Sequence, residues 1–505
     1  MPRIKRAAGV ITVFMTFVSV LMLSLAGVLI DSARIRGASA QAAYITEMGN
    51  LSIFGEFERS LLEEYEVFGL DGSRGTGDFS PGRIEDRLRT YLQANASPDA
   101  EGLAAIGFDP WKLRLRGQEI TGYALLTDGS GEAFYRQVVE YMQETAAAQG
   151  LGALRDLLRD AEELEEKGEA YEKAEKEGGA DLKAAQEAAA AAAESQDQEE
   201  TAAGQEPKEN PLDKIGWLHR ADPVILLTGK HGVPENAVSG AQLCFHRPRN
   251  RGTMALPGRQ RGGPGNAGTD LLFKEYLLAR FPCYTDGKRS LPLSCQLEYF
   301  LHGATSDKAN LRWAILKLLA LREGANYAYL VSSPEKSGAA DLLAAGVLTV
   351  FDTVPGLHAA LKHALLLGWA FGESLLDVKT LLDDGSVPLE KTDGTFLLHL
   401  ENLGQLGSLL SGDLGGRKEG LDYKEHLRLL LYLQPAAAQC RRALEMIELN
   451  LRNGGAENFR ADNCIAAARI KTAWTVPPLF MRIASAFAGT GSTPFDLEAG
   501  GTFMY

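Results

Sequence analysis

Glu373 and Asp377 stand four residues apart in an otherwise apolar stretch, Leu357 to Leu376, with Trp369 one turn before them. At helical spacing the three share one face. Two carboxylates on a core helix are costly unless each meets a cation or a donor. Lys379, Lys391 and Arg322 are the cations available in the sequence. Such a pair could act as general acid and base. With no nucleophile or metal pattern beside it, a structural network of Glu373, Asp377, Lys391 and Arg322 is the expected outcome.

The rest of the search for chemistry is negative. The Gly-rich stretch from Gly258 to Gly268 lacks the GK[ST] of a phosphate-binding loop, and neither HExxH nor GxSxG is present. Ser333-Pro334-Glu335-Lys336 matches the S-x-x-K pattern of Ser/Lys hydrolases. Its companions fail, since Ser306-Asp307-Lys308 is not S-D-N and Lys391-Thr392-Asp393-Gly394 carries an extra residue in K-T-G. His358 and His363 are five apart, on poorly matched helix faces for one metal. Glu298 and His302 are four apart, but "CQLEYFL" reads as a strand. No catalytic, cofactor-binding or metal-ligating residue is assigned, no cofactor is expected, and the chain reads as a non-enzyme.

Charge narrows the partners. A net charge of −14 and a sequence pI of about 5.2 exclude a basic nucleic-acid footprint across the chain. One loop is locally basic, with Arg247, Arg249, Arg251, Arg259 and Arg261, and could meet a phosphate or an acidic cell-wall polymer.

Position in the cell is more legible than chemistry. After Arg3, Lys5 and Arg6, the 24 residues from Ala7 to Ile30 carry no charge. As a helix they extend ~36 Å, enough to cross a ~30 Å hydrocarbon core with some tilt. Asp31, Arg34 and Arg36 end the run. The basic start places the N-terminus in the cytoplasm and the bulk of the chain outside, a single-pass protein of the cell membrane. The competing reading is a cleaved signal peptide, whose apolar core should be only ~7–15 residues.

An oxidising exterior raises the question of disulfides. From Cys440 to Arg452 a helix climbs ~18 Å, and a strand over Asn458–Cys464 would descend ~20 Å. Cys440 and Cys464 are therefore the candidate disulfide, with Cys283–Cys295 fitting less well and Cys244 left over.

The elements that must position these residues give an α+β protein. The basic start (1–6) leads into the transmembrane helix (7–30), then a pilin-like helix and small α+β region (31–150). Within it, 79–95 reads as a short helix and 112–128 as a hairpin whose Leu113 and Leu115 alternate with basic residues. Residues 151–206 hold 17 Asp/Glu and six Lys/Arg, so an acidic spacer, helical or disordered and solvated, is expected over 151–210. A loop-rich segment (211–290) follows. The α-rich C-terminal domain (291–505) has a few strands: a hairpin within Val387–Leu400 and a strand over Asn463–Val476.

The segment "AAGVITVFMTFVSVLMLSLAGVLIDSARIRGASAQAAYITEMG" (Ala7–Gly49) resembles the TadE/TadG-like pseudopilins of the tight-adherence (Flp) type IV pilus system. The Glu expected five residues after a processing glycine is Phe14 here, counted from Gly9. The rest is similar to a bacterial membrane-anchored family of unknown function. The similarity runs over "LLEEYEVFGL", "GYALLTDGSGEAF", "LEYFLHGATSDKANL", "WAFGESLLDVKTLL" and "GLDYKEHLRLLL". The resemblance implies a structural or assembly component of a pilus-type surface machine, working with the bilayer and other pilin-like or pilus-assembly proteins. A membrane-anchored extracellular enzyme or binding protein acting on cell-wall material is the alternative.

Overall fold

The computed structural model describes residues 3–96, 109, 111–145, 151–195, 218–258, 264–287, 290–347, 356–414, 416–481 and 493–505. The fold is α+β, and the chain divides into two compact units: Met1–Gln137, Pro248–Arg261 and Gly454–Tyr505 make the first, Val138–Arg247 and Gly262–Asn453 the second.

In the first unit a single 52-residue helix, α1 (Arg3–Phe54), changes character along its length. Its early apolar side chains face outward, Phe14 being 65% and Leu21 67% exposed. Its later half buries Ala42, Ile45, Ile53 and Phe54. The small residues there allow close approach: a Cβ on Gly49 would reach Leu92 at 2.7 Å. Leu92 belongs to α3 (Pro81–Ala96), which follows the short α2 (Arg59–Tyr65) and buries Ile84, Leu88 and Leu92 at helical spacing.

The other wall of this core is a four-stranded antiparallel sheet of β1 (Leu70–Asp71), β2 (Arg114–Leu125), β3 (Cys464–Val476) and β4 (Phe495–Met504). β3 is central and pairs with all three others. Its Ile465, Ile470 and Trp474 face α1 and α3 in the shared core. The strand expected over Asn463–Val476 is thus present from Cys464. The hairpin expected over 112–128 is instead one strand. Gly117, which resembles a turn, marks a register shift against β3 between Leu115 and Gly117. A glycine in a strand pattern signals a bulge as readily as a turn, and the true partner lies some 350 residues away, out of reach of local pattern.

α4 (Glu132–Thr145) carries the chain onward to the helical second unit. There α5 (Leu151–Ser195) precedes α6 (Pro223–Leu227), α7 (Ala267–Arg280), α8 (Gln296–His302), α9 (Asp307–Ser332), α10 (Pro334–Val347), α11 (Leu357–Leu382), α12 (Leu406–Leu410), α13 (Tyr423–Tyr432) and α14 (Ala436–Asn453). α11 is the hub, buried on every face from Leu365 to Leu382, as a helix apolar all round must be. α9 lies against it, started by Ser306, whose hydroxyl accepts the Ala309 N–H.

Three expectations are corrected here. The acidic stretch is not a solvated spacer over its described part: α5 packs on α9 and α11 and buries Ala161, Leu164 and Tyr171. Few large apolar residues suffice because glycines let the helices approach closely. A Cβ on Gly324 would strike the backbone of Lys167 and Gly168, and one on Gly178 would reach His363 and Leu367. Residues 196–210 of that stretch lie outside the described residues. "CQLEYFL" is helix α8 rather than a strand; with Gln296 through Leu301 all buried, seven residues carry no periodicity to tell the two apart. Val387–Leu400 forms no hairpin. The Thr392 carbonyl closes a turn by accepting the Thr395 and Phe396 N–H groups, Val387 exchanges backbone hydrogen bonds with Leu421, and Glu373 ties the segment from α11.

Candidate functional site

The carboxylates of α11 converge on the Val387–Leu400 segment. Lys391 Nζ donates to Glu373 Oε1 at 2.6 Å, to Asp377 Oδ1 at 2.6 Å and to the Thr395 carbonyl at 3.1 Å. Arg322, one helix over on α9, gives its Nε–H to Asp377 Oδ2 at 3.0 Å, and Asn326 donates to the same oxygen at 3.1 Å. Glu373 also accepts the backbone N–H groups of Leu397 and Leu398, at 3.0 and 2.7 Å. Trp369, at the other end of the face, donates its indole N–H to the Leu398 carbonyl at 2.7 Å. Arg322 Nη1 holds the Leu389 carbonyl at 3.2 Å. Glu373, Asp377, Lys391 and Arg322 are all buried, so the structure brings together the four residues singled out in the sequence. Lys379 is elsewhere, paired with Asp383 one turn on.

Two positive and two negative charges balance within the cluster, which is what makes its burial tolerable. Burial pushes Glu373 up, aided by Asp377 and opposed by Lys391. Burial acts on Asp377 too, but Lys391 and Arg322 outweigh it and hold that carboxyl below the ordinary range. A pair split this way resembles an acid–base couple. Yet both oxygens of both carboxylates accept hydrogen bonds from the protein. The arrangement clamps an irregular segment onto α11. Beside it opens a cleft of about 470 Å³, reached by Asp377 and Lys391 and rimmed by Ser386, Thr395, Arg417 and Lys418.

The remaining sequence candidates are dispersed. Ser333 sits at the head of α10, its hydroxyl accepting the Lys336 N–H at 3.4 Å. The Lys336 ammonium lies over the rings of Trp369 and Phe396. His363 meets the Tyr327 hydroxyl at 2.8 Å and His358 the Asp341 carbonyl at 3.3 Å. Cys440 and Cys464 are buried thiols and no disulfide joins them, which corrects the expected bridge. The chain after α14 does not return as a strand over Asn458–Cys464. It starts β3 at Cys464 in the sheet of the first unit, whereas Cys440 lies in the second.

Two further buried groups stand apart from this cluster: Glu298, weighed in sequence only beside His302, and His426, which the sequence does not single out. Glu298 on α8 accepts the Tyr284 N–H at 2.9 Å and the Tyr423 hydroxyl at 2.8 Å, both on Oε1, while Oε2 is buried without a partner. Burial pushes its pKa up to about 7. His426 on α13 bonds through Nδ1 to the Asp422 carbonyl at 2.9 Å, with Nε2 unpartnered. Burial, with Arg322 nearby, brings it down to about 4. The signal for Glu298 was present, a lone acid inside "CQLEYFL".

The first unit has its own polar node, at the end of the uncharged run. Asp31 is fully buried and accepts three consecutive backbone N–H groups, those of Leu479, Phe480 and Met481, at 3.1, 2.9 and 2.8 Å. Arg34 lies 3.6 Å from the same carboxylate. It also donates to the carbonyls of Pro477 and Trp111. These two residues, which with Arg36 end the uncharged run in sequence, also tie α1 to the segment after β3.

A family model, the family of unknown function DUF5702, matches residues 201–476, more than half of the 505-residue chain. The chain belongs to the DUF5702 family. The match begins inside the acidic stretch and ends with β3, so it covers the α11 cluster and leaves α1 outside. No curated protein and no solved structure matches the chain. Among the described residues one helix, the N-terminal one, is long and apolar enough to cross a membrane.

Proposed function

We propose that this chain is a single-pass membrane-anchored protein, cytoplasmic at its N-terminus and extracellular over its bulk. In this reading it serves as a structural or assembly component of a pilus-type surface machine, not as an enzyme. The observation that carries the reading is the change of character along α1. Its first part presents Phe14, Leu21 and their neighbours outward. Its second part is core to an antiparallel sheet. Soluble proteins rarely leave an apolar patch of that size uncovered, and a helix with a polar end built into a folded unit can present it at a bilayer. Arg3, Lys5 and Arg6 favour the cytoplasmic side. The resemblance of Ala7–Gly49 to TadE/TadG-like pseudopilins is what favours this class of machine. Partners in that reading are other pilin-like or assembly proteins that meet α1 in the membrane. Thr16 and Ser19 interrupt its outward apolar surface and suit close helix approach.

A photo-crosslinking residue at Val20, activated in membranes, tests the assembly reading. It should yield a discrete protein adduct, either a second copy or another single-span protein. Labelling of lipid alone would overturn assembly while leaving the anchor standing. A second reading, a binding protein for cell-wall material, draws on the cleft beside Lys391, whose rim carries Arg417 and Lys418. Saturable binding of soluble acidic wall fragments, lost in the doubly substituted Arg417→Ala/Lys418→Ala chain, would favour it.

A further inference from the structure

We infer that the segment after β3 is a second membrane contact, in which Leu479, Phe480 and Met481 enter the lipid boundary beside α1. The inference rests on the anchoring role proposed for α1. It commits to one partner, the region of a bilayer where acyl chains meet headgroups.

Position along α1 carries the argument. If the hydrocarbon begins at Ala7, ~20 residues at ~1.5 Å each fill a ~30 Å core, which then ends near Ala26. Phe480 packs at the next residue: a Cβ on Gly27 would lie 3.0 Å from Phe480 Cβ. One turn further, Asp31 takes the amides of Leu479, Phe480 and Met481. At Arg34 the chain crosses to Pro477, and at Gly37 the helix meets the ring of Trp111. The segment therefore runs down α1 toward the hydrocarbon, reaching its edge at Phe480.

Chemistry agrees with position. Leu479, Phe480 and Met481 are 46%, 38% and 41% exposed although apolar, and they adjoin the exposed apolar surface of α1. A carboxylate that neutralises three backbone N–H groups removes the polar cost of bringing those peptides to an apolar medium. Buried Asp31 and Arg34 balance each other's charge at that depth. Arg36, Lys112 and Arg114 are exposed in the next layer along α1, the level at which basic side chains meet lipid phosphates. Trp111 lies in the same layer, as interfacial tryptophans do.

The test uses the full chain in nanodiscs that include anionic lipid. The native cysteines are buried, so an environment-sensitive fluorophore goes selectively to Met481→Cys, Leu21→Cys or Leu51→Cys. Leu51 lies ~30 Å beyond Asp31 on the same helix. Met481→Cys should be quenched at least several-fold more by nitroxide lipid labelled near the headgroup than by aqueous iodide. Leu21→Cys should respond to nitroxide near the bilayer centre, and Leu51→Cys to iodide alone. Quenching of Met481→Cys by iodide only, with Leu21→Cys still lipid-quenched, would overturn this inference and leave the anchor intact. If Leu21→Cys also answers only to iodide, the anchor itself is wrong. Adding Asp31→Ala should cut the lipid quenching at Met481→Cys at least twofold. Unchanged quenching would remove Asp31 from the proposal.

Discussion

Replacing Lys391 with Met tests the α11 cluster at its centre. The ammonium makes three bonds, to Glu373, Asp377 and the Thr395 carbonyl. Arg322 still neutralises Asp377 in the variant, so one buried carboxylate is left uncompensated, that of Glu373. Breaking a buried pair from one side costs about 3–5 kcal/mol, a large share of the ~5–15 kcal/mol that holds a domain together. Glu373 can relieve part of this by taking a proton, since burial and Asp377 already push it up. The loss should therefore be smaller in acid than at neutral pH. Glu373→Gln combined with Lys391→Met removes one charge of each sign. It keeps an acceptor for Leu397 and Leu398 and leaves Asp377 with Arg322 and Asn326. The double variant should recover at least half of the loss. Urea unfolding of the full chain in detergent reads the effect, followed by tryptophan emission, because Trp369 is bonded to Leu398 within the clamped segment. A loss in Lys391→Met of under about 1 kcal/mol, the level of a surface pair, would refute the reasoning. So would a double variant no more stable than the single one.

Other outcomes follow from the same structure. Glu298 has a folded pKa of about 7 against an ordinary 4.5; between these values the folded state holds a proton that the unfolded state has lost, so stability falls as pH rises through the window. Over it Glu298→Gln should lose about 3 kcal/mol less than the parent, and parallel pH profiles would contradict the burial argument. His426 behaves oppositely: at about 4 folded against 6.5 unfolded, it makes the protein lose about 3 kcal/mol as pH falls through that range, and His426→Gln should flatten that limb in pH-dependent urea titrations. Gly324→Ala places a methyl group against the backbone of Lys167 and Gly168 and should destabilise the second unit by about 1–3 kcal/mol. An unaltered melting curve would mean that α5 is not held against α9.

What could be read from sequence was whatever depends on local composition. The uncharged run from Ala7 to Ile30 needs no distant partner to be recognised. The carboxylates of α11 were visible because charge is conspicuous in an apolar helix, and Lys391 was at hand within 20 residues. Signals that depend on distant neighbours were misread. β2 looks like a hairpin until β3 is known, and the acidic α5 looks solvated because its few large buried residues, Leu164 and Tyr171, are scattered among charges and its closest approaches are made at glycines. Cys440 and Cys464 were matched by helix and strand lengths, which say nothing of the direction in which the chain leaves a turn. Asp31 reads in sequence only as the end of the uncharged run, since nothing near it announces the three amides it receives from the other end of the chain.

The central claim is that α1 anchors a folded ectodomain, and it is tested most directly by washing membranes from cells expressing the full chain with alkaline carbonate. The account predicts that the chain stays in the pellet, carries its first thirty residues intact, and is released only by detergent. Recovery in the carbonate supernatant, or as a product shortened past Ile30, would contradict it.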